Sequence, residues 1–171
     1  MEVERDYEEL FALFNRHRVR YCIIGAYALA FYVRPRYTKD IDILIESSRD
    51  NSRKVVSALN AFGFSSLKLS EKDFQAKNRI VQLGREPLRI DLLTGLEGCP
   101  FSRAWANKNP GLYGRERVYF IGLDDLVRLK KRSRRLQDKA DLELLLELKR
   151  HKAAAKTSAG KLRLKPRRSR R

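Results

Sequence analysis

The sequence is poor in the side chains that build disulfide scaffolds and metal clusters. Only two cysteines, Cys22 and Cys99, occur in 171 residues, too few for a disulfide framework. The two histidines, His17 and His151, stand far apart, so no zinc-type spacing exists. No base accompanies Cys99 and no signature surrounds either histidine, which leaves a nucleophilic hydrolase with little support. Long apolar runs are missing as well. The longest, Tyr21 to Val33, has thirteen residues with a glycine inside, short of the roughly 20 that a membrane span needs. Met1 to Leu10 is acidic and helical in pattern, unlike a signal peptide. A soluble protein in a reducing cytoplasm is the expectation, with Cys22 a buried small hydrophobe, while Cys99 beside Pro100 could be exposed. No acid follows Glu147.

What is present is positive charge. Lys and Arg number 38 against 21 Asp and Glu, a net +17. Eleven of those cations lie between Lys149 and Arg171, so residues 1–148 carry only +6. With 43% hydrophobic residues the body can form a core. The sequence therefore predicts one domain over residues 1–150 and a basic, disordered tail over 151–171. A polycationic tail binds nucleic-acid phosphates without reading sequence. RNA is thus an expected partner through the tail; a protein partner is a further expectation and a membrane is not. Aromatic residues are absent after Phe120, so the tail has nothing on which bases stack.

Periodicity predicts an alternation of helices and strands. Tyr7, Leu10, Phe11 and Phe14 recur at helical spacing, giving a helix over about 5–17. Arg20 to Ile24 is a short strand ending at Gly25, and a helix runs from Gly25 to Val33 before Pro35 stops it. Asp40 to Ile45 alternates as a strand. A helix follows over Ser48–Phe62, ended by Gly63. Arg79–Leu83 and Leu88–Leu93 form a hairpin across Gly84-Arg85-Glu86-Pro87. A short helix over Pro100–Ala106, with Trp105 packed on Phe101, precedes a strand at Val118–Ile121. Helices over Gly122–Lys131 and Leu136–Lys149 close the body. The class is α/β (α+β), with a mixed sheet of four to five strands.

The chemistry sits in Gly25-Ala26 and in Arg36-Tyr37-Thr38-Lys39-Asp40-Ile41-Asp42. Asp40 and Asp42, two residues apart on a strand, project to one face while Ile41 and Ile43 enter the core. Two like charges so close repel unless a cation sits between them. Hard divalent ions such as Mg²⁺ take oxygen ligands and complete their shell with water and phosphate. Asp91 interrupts the apolar strand Arg89-Ile90-Asp91-Leu92-Leu93. A lone acid there is paired, with Arg89 or Arg79, exposed at the sheet end, or a ligand. If its strand lies beside Asp40–Ile45, three carboxylates converge and can hold two Mg²⁺ ions. One would carry a triphosphate, and the other would lower the pKa of an attacking hydroxyl whose proton Asp91 accepts. Gly25 ends a strand and opens a helix, so backbone N–H groups there can approach phosphate. Arg34, Arg36 and Lys39 either neutralise phosphate charge or form a plain basic turn.

This order of residues resembles the nucleotidyltransferases of the polymerase-beta superfamily, and within it the small bacterial proteins related to abortive-infection toxins. Their pattern is Gly-Gly or Gly-Ser, an apolar helix, Arg-x-Thr or Arg-x-Ser, then Asp-x-Asp on a strand. Ala26 departs from it by replacing the second Gly or Ser. The resemblance implies a minimal nucleotidyltransferase fold. It implies Asp40, Asp42 and Asp91 as metal ligands and catalytic residues, and Gly25, Ala26, Arg36, Thr38 and Lys39 at the nucleotide. The stretches Leu126-Val127-Arg128-Leu129-Lys130 and Arg135-Leu136-Gln137-Asp138-Lys139-Ala140-Asp141 look like the C-terminal motif, with Gln137 in place of a basic residue. By that likeness Lys130 reaches the triphosphate, while Asp138 and Asp141 orient the helix pair.

The function expected from these readings is Mg²⁺-dependent transfer of a nucleoside monophosphate from an NTP to a hydroxyl on RNA, protein or a small molecule. The alternatives are an inactive relative acting as a nucleic-acid-binding or toxin–antitoxin partner and, more remotely, a metal-dependent nuclease.

Overall fold

A computed structural model describes residues 3–34, 38, 40–85 and 88–163, with side chains as far as residue 155. The elements run α1 (Arg5–Arg16), β1 (Tyr21–Ile23), α2 (Gly25–Tyr32), β2 (Asp40–Ile45), α3 (Arg49–Ala61), α4 (Glu71–Gln75), β3 (Ile80–Leu83) and β4 (Arg89–Leu93). Then follow α5 (Phe101–Ala106), β5 (Asn109–Tyr113), β6 (Glu116–Phe120), α6 (Leu123–Arg132) and α7 (Leu136–Arg163). A 3-10 turn at Phe64–Leu67 links α3 to α4.

The strands form one mixed sheet in the order β3-β4-β2-β1-β6-β5. It has six strands among the described residues, not four or five. The additional strand is β5, which carries Pro110 and Gly111. Both residues are poor strand formers, and a proline is tolerated because β5 lies on the sheet edge. The β2–β4 and β1–β6 pairs are parallel and the others antiparallel.

The core follows the alternation read in β2. Ile41, Ile43 and Ile45 are fully buried, and α1 supplies Tyr7, Leu10, Phe11 and Phe14 on one stripe. Phe11 stacks on Tyr21 with ring centres 5.5 Å apart, tying α1 to β1. Trp105 packs on Phe101 as expected, 5.8 Å between rings. Cys22 and Cys99 are both free and buried, so the position of Cys99 beside Pro100 does not expose it: it belongs to the core cluster. Ser48 caps α3 by accepting a hydrogen bond from the Asn51 N–H at 3.3 Å.

The last helix continues to Arg163, past the point where composition predicts disorder. Ala153, Ala154 and Ala155 are strong helix formers, and helix propensity needs no apolar face. Residues 164–171 lie outside the described residues. No helix among the described residues is long and apolar enough to cross a membrane.

Candidate active site

The register between β2 and β4 builds the site. In this parallel ladder Asp40 is the partner of Arg89 and Asp42 is the partner of Asp91. Partners in a parallel ladder send their side chains to the same face. Asp40, Asp42, Arg89 and Asp91, drawn from stretches about fifty residues apart, therefore share one face. They line a cleft of about 570 Å³ together with Gly25, Ala26, Thr38, Lys130, Arg135 and Asp138.

Arg89 ties two of the acids together. Its Nη2 donates to Asp40 Oδ2 at 2.5 Å and to Asp91 Oδ2 at 3.1 Å, and its Nε donates to Asp91 Oδ1 at 3.0 Å. Asp91 is thus ion-paired, one of the alternatives for a lone strand carboxylate. It is also 94% buried, with 6% of its surface exposed. A paired guanidinium is the physical condition for burying it. Arg89 is itself fixed at its backbone, where the Tyr7 hydroxyl donates to the Arg89 carbonyl at 3.0 Å. Thr38 Oγ1 donates to Asp40 Oδ1 at 2.8 Å. Asp40 is therefore held on both oxygens.

Asp42 differs from its neighbours, since no side chain among the described residues donates to it. Burial, and then repulsion from Asp40 and Asp91, push its pKa up from 3.8 to about 6. Gly25 presses against it. A Cβ on Gly25 would stand 2.0 Å from Asp42 Oδ2, and the Gly25 φ is +63°. Glycine is required twice here, by the left-handed backbone and by the carboxylate. The Ile24 N–H, just before it, donates to the Asp42 carbonyl at 2.9 Å, which locks the end of β1 to β2. Helix α2 starts at Gly25 without a side-chain cap, so its first-turn N–H groups open on the cleft.

Lys130 is neither solvated nor free. It is 8% exposed, and its Nζ donates to Asp138 and, at 2.8 Å, to Asp141. The Ser133 hydroxyl donates to the other Asp138 oxygen at 2.5 Å. The cluster fastens α6 to α7 beside the cleft. Arg36 and Lys39 lie outside the described residues. Ala26 lies at the cleft with 6% of its surface exposed. Sequence reasoning missed the part played by Arg89 in bridging Asp40 and Asp91. The signal covered only the Asp91 half of the bridge: a basic residue two positions before a strand acid, on the same face.

Among the described residues, no three His, Cys, Asp or Glu side chains converge on one ion position. The guanidinium of Arg89 bridges Asp40 and Asp91 instead. A second cleft, of about 530 Å³, lies at the start of α6. Two of the cations that line it are paired, Lys149 with Asp124 at 2.6 Å and Arg103 with Asp125 at 2.5 Å.

The same fold occurs in an antibiotic-modifying enzyme. A crystal structure of the lincosamide antibiotic adenylyltransferase LnuA, lincomycin-bound, superposes with a TM-score of 0.53 at 15% identity, covering 85% of this chain and 97% of that one. The chain shares the fold of that protein. No protein-family model matches the sequence, and no curated protein matches it significantly. At that identity the likeness concerns the path of the chain, and the chemistry rests on the side chains in the cleft.

Proposed function

We propose that the protein is a Mg²⁺-dependent nucleotidyltransferase that moves a nucleoside monophosphate from an NTP to a hydroxyl and releases pyrophosphate. The observation that carries this reading is the side-by-side placement of Asp42 and Asp91, with Asp40 on the same face. The adenylyltransferase-like fold supports it.

The residues present fit the metal. The donors are all carboxylate oxygens, as a hard cation requires. Asp42 has no donor among the described residues and resists ionisation beside two other acids, the electrostatic sign of a place that favours added positive charge. Asp40 and Asp42 would hold the ion, joined by Asp91 once the Arg89 bridge opens on that side, and Mg²⁺ there would supply charge neutralisation for the triphosphate and acidify the attacking hydroxyl.

The remaining work falls to the chain itself. The uncapped α2 N-terminus offers the Gly25 and Ala26 N–H groups to phosphate oxygens. Thr38 orients Asp40 through its hydroxyl. Arg89 fixes the direction of Asp91 before substrate arrives, by donating to both of its oxygens. Lys130 holds α7 against the cleft wall through Asp138 and Asp141.

The test is transfer of label from α-labelled NTPs, with Mg²⁺, to acceptors in a cell extract, comparing wild type with Asp42→Ala. Label that depends on Asp42 and is lost with EDTA supports the reading. Equal labelling by both proteins overturns it.

A further inference from the structure

One wall of the cleft is strongly charged beyond what the fold needs. From Arg128 to Lys139 the chain carries seven cations and a single acid, Asp138. Two of the seven are engaged within the molecule. Lys130 is buried on Asp138 and Asp141, and Arg132 pairs with Glu97 at 2.5 Å. The other five, Arg128, Lys131, Arg134, Arg135 and Lys139, are exposed. None of the five makes an ion pair among the described residues.

Their placement is ordered. Arg128 and Lys131 are three apart on α6, so they stand on neighbouring turns of one face. Arg135 and Lys139 are four apart at the start of α7, where the Lys139 N–H donates to the Arg135 carbonyl at 3.2 Å. Arg134 occupies the short corner between the helices. Arg135 lines the cleft itself. The row thus starts at the candidate active site and leads away along the corner. Five like charges without an ion-pair partner among the described residues repel one another, and the acids nearest to them, Asp124 by Arg128 and Asp138 by Arg135, are each already paired with a lysine. A neutral or cationic small acceptor gains nothing from such a row, whereas a polyanion gains at every contact.

We propose that the acceptor is a polynucleotide strand. Its phosphates lie along the α6–α7 corner, and its terminal hydroxyl reaches the face of Asp40, Asp42 and Asp91. This rests on the transferase reading above and names its substrate class. The terminal hydroxyl oxygen bonds to the α-phosphorus of the NTP. The bond from that phosphorus to the bridging oxygen breaks, its electron pair leaves with pyrophosphate, and the hydroxyl proton passes to solvent. No oxidant or reductant enters.

The experiment uses the full chain and single-stranded RNA and DNA oligonucleotides with a 5′ fluorophore and a free 3′ hydroxyl. Binding is read by anisotropy over a salt series, and transfer by label from α-labelled NTPs. One variant neutralises the corner (Arg128→Gln, Lys131→Gln, Arg134→Gln and Lys139→Gln). A second neutralises the C-terminus (Arg167→Gln, Arg168→Gln, Arg170→Gln and Arg171→Gln). The corner variant is expected to bind about 100-fold more weakly near physiological salt, with a salt slope shallower by about 3, the value for four lost single-strand phosphate contacts. Oligonucleotide labelling should fall in parallel. The C-terminal variant should keep most of its labelling. A circular-dichroism melt checks that the corner variant folds, and Arg134→Glu alone repeats the test with the smallest change.

Binding that survives corner neutralisation with an unchanged slope overturns the inference, as does loss confined to the C-terminal variant. Label that reaches a small-molecule or protein hydroxyl while the oligonucleotide stays unlabelled overturns the inference and leaves the transferase reading standing. If wild type labels nothing at all, the transferase reading falls first and the inference with it. The RNA and DNA arms report which strand chemistry is taken.

Discussion

Asp42 of β2 and Asp91 of β4 are direct partners in a parallel ladder, yet only Asp91 holds a cation, the guanidinium of Arg89. Two acids in equivalent positions thus have unequal environments. One is ion-paired and buried; the other is crowded by negative charge and resists ionisation.

Stability should record that asymmetry as a pH dependence. The Asp42 pKa is raised from 3.8 to about 6 in the folded chain. The folded state therefore binds its proton first, and the stability that protonation contributes is complete below about pH 4. It is lost as pH rises through about 6, and the loss amounts to about 1–3 kcal/mol. Asp42→Asn, which cannot ionise, should remove this slope and raise the Tm at pH 7.5 in metal-free buffer, while transfer activity disappears. A variant with the same pH slope as wild type would contradict the assignment.

Magnesium should act on the same group. At pH 7.5, added Mg²⁺ should raise the Tm of wild type, and the increment should shrink below pH 6 as Asp42 takes up a proton. Asp42→Asn should show little increment at any pH. Thermal melts at fixed ionic strength check this, with Na⁺ replacing Mg²⁺ as the control for screening.

Arg89→Met removes the cation shared by Asp40 and Asp91. Leaving a buried carboxylate without its partner should destabilise the metal-free protein by about 3–5 kcal/mol. Mg²⁺ should restore part of that loss, because an added cation replaces the missing one. A purely structural Arg89 would leave the variant equally destabilised with and without Mg²⁺.

Gly25→Ala tests the closest approach in the site. Alanine at φ +63° is strained, and its Cβ would meet Asp42 Oδ2 at 2.0 Å. The strain alone should lower stability by about 1–3 kcal/mol. The displaced carboxylate should reduce transfer by at least about 100-fold, as misplacement of a reacting group does. Near-normal activity in this variant would show that Asp42 is not needed in its present position.

Much of this was legible in the residues. The Asp-x-Asp alternation placed both acids on one face because side chains in a strand alternate. The apolar stretch broken only by Asp91 marked a strand near them. The Arg89–Asp91 pairing was also readable as one of two choices, since residues two apart on a strand share a face. The Arg89 bond to Asp40 was not readable, because it depends on the β2–β4 register, which no local pattern specifies. Strand β5 was hidden because Pro110 and Gly111 signal a loop, and only its edge position makes them tolerable. The engagement of Lys130 by Asp138 and Asp141 needed the angle between α6 and α7. The continuation of α7 beyond His151 was masked by charge, although the Ala153–Ala155 run favours helix.

The most direct test of the central claim is anomalous diffraction from crystals soaked with Mn²⁺ and a non-hydrolysable NTP. The account predicts a manganese peak bound by Asp40 and Asp42, with Asp91 beside it, the triphosphate at the start of α2, and the Arg89 bridge opened on at least one side. Crystals that hold the nucleotide elsewhere, or show no peak while Arg89 still links Asp40 to Asp91, would contradict it.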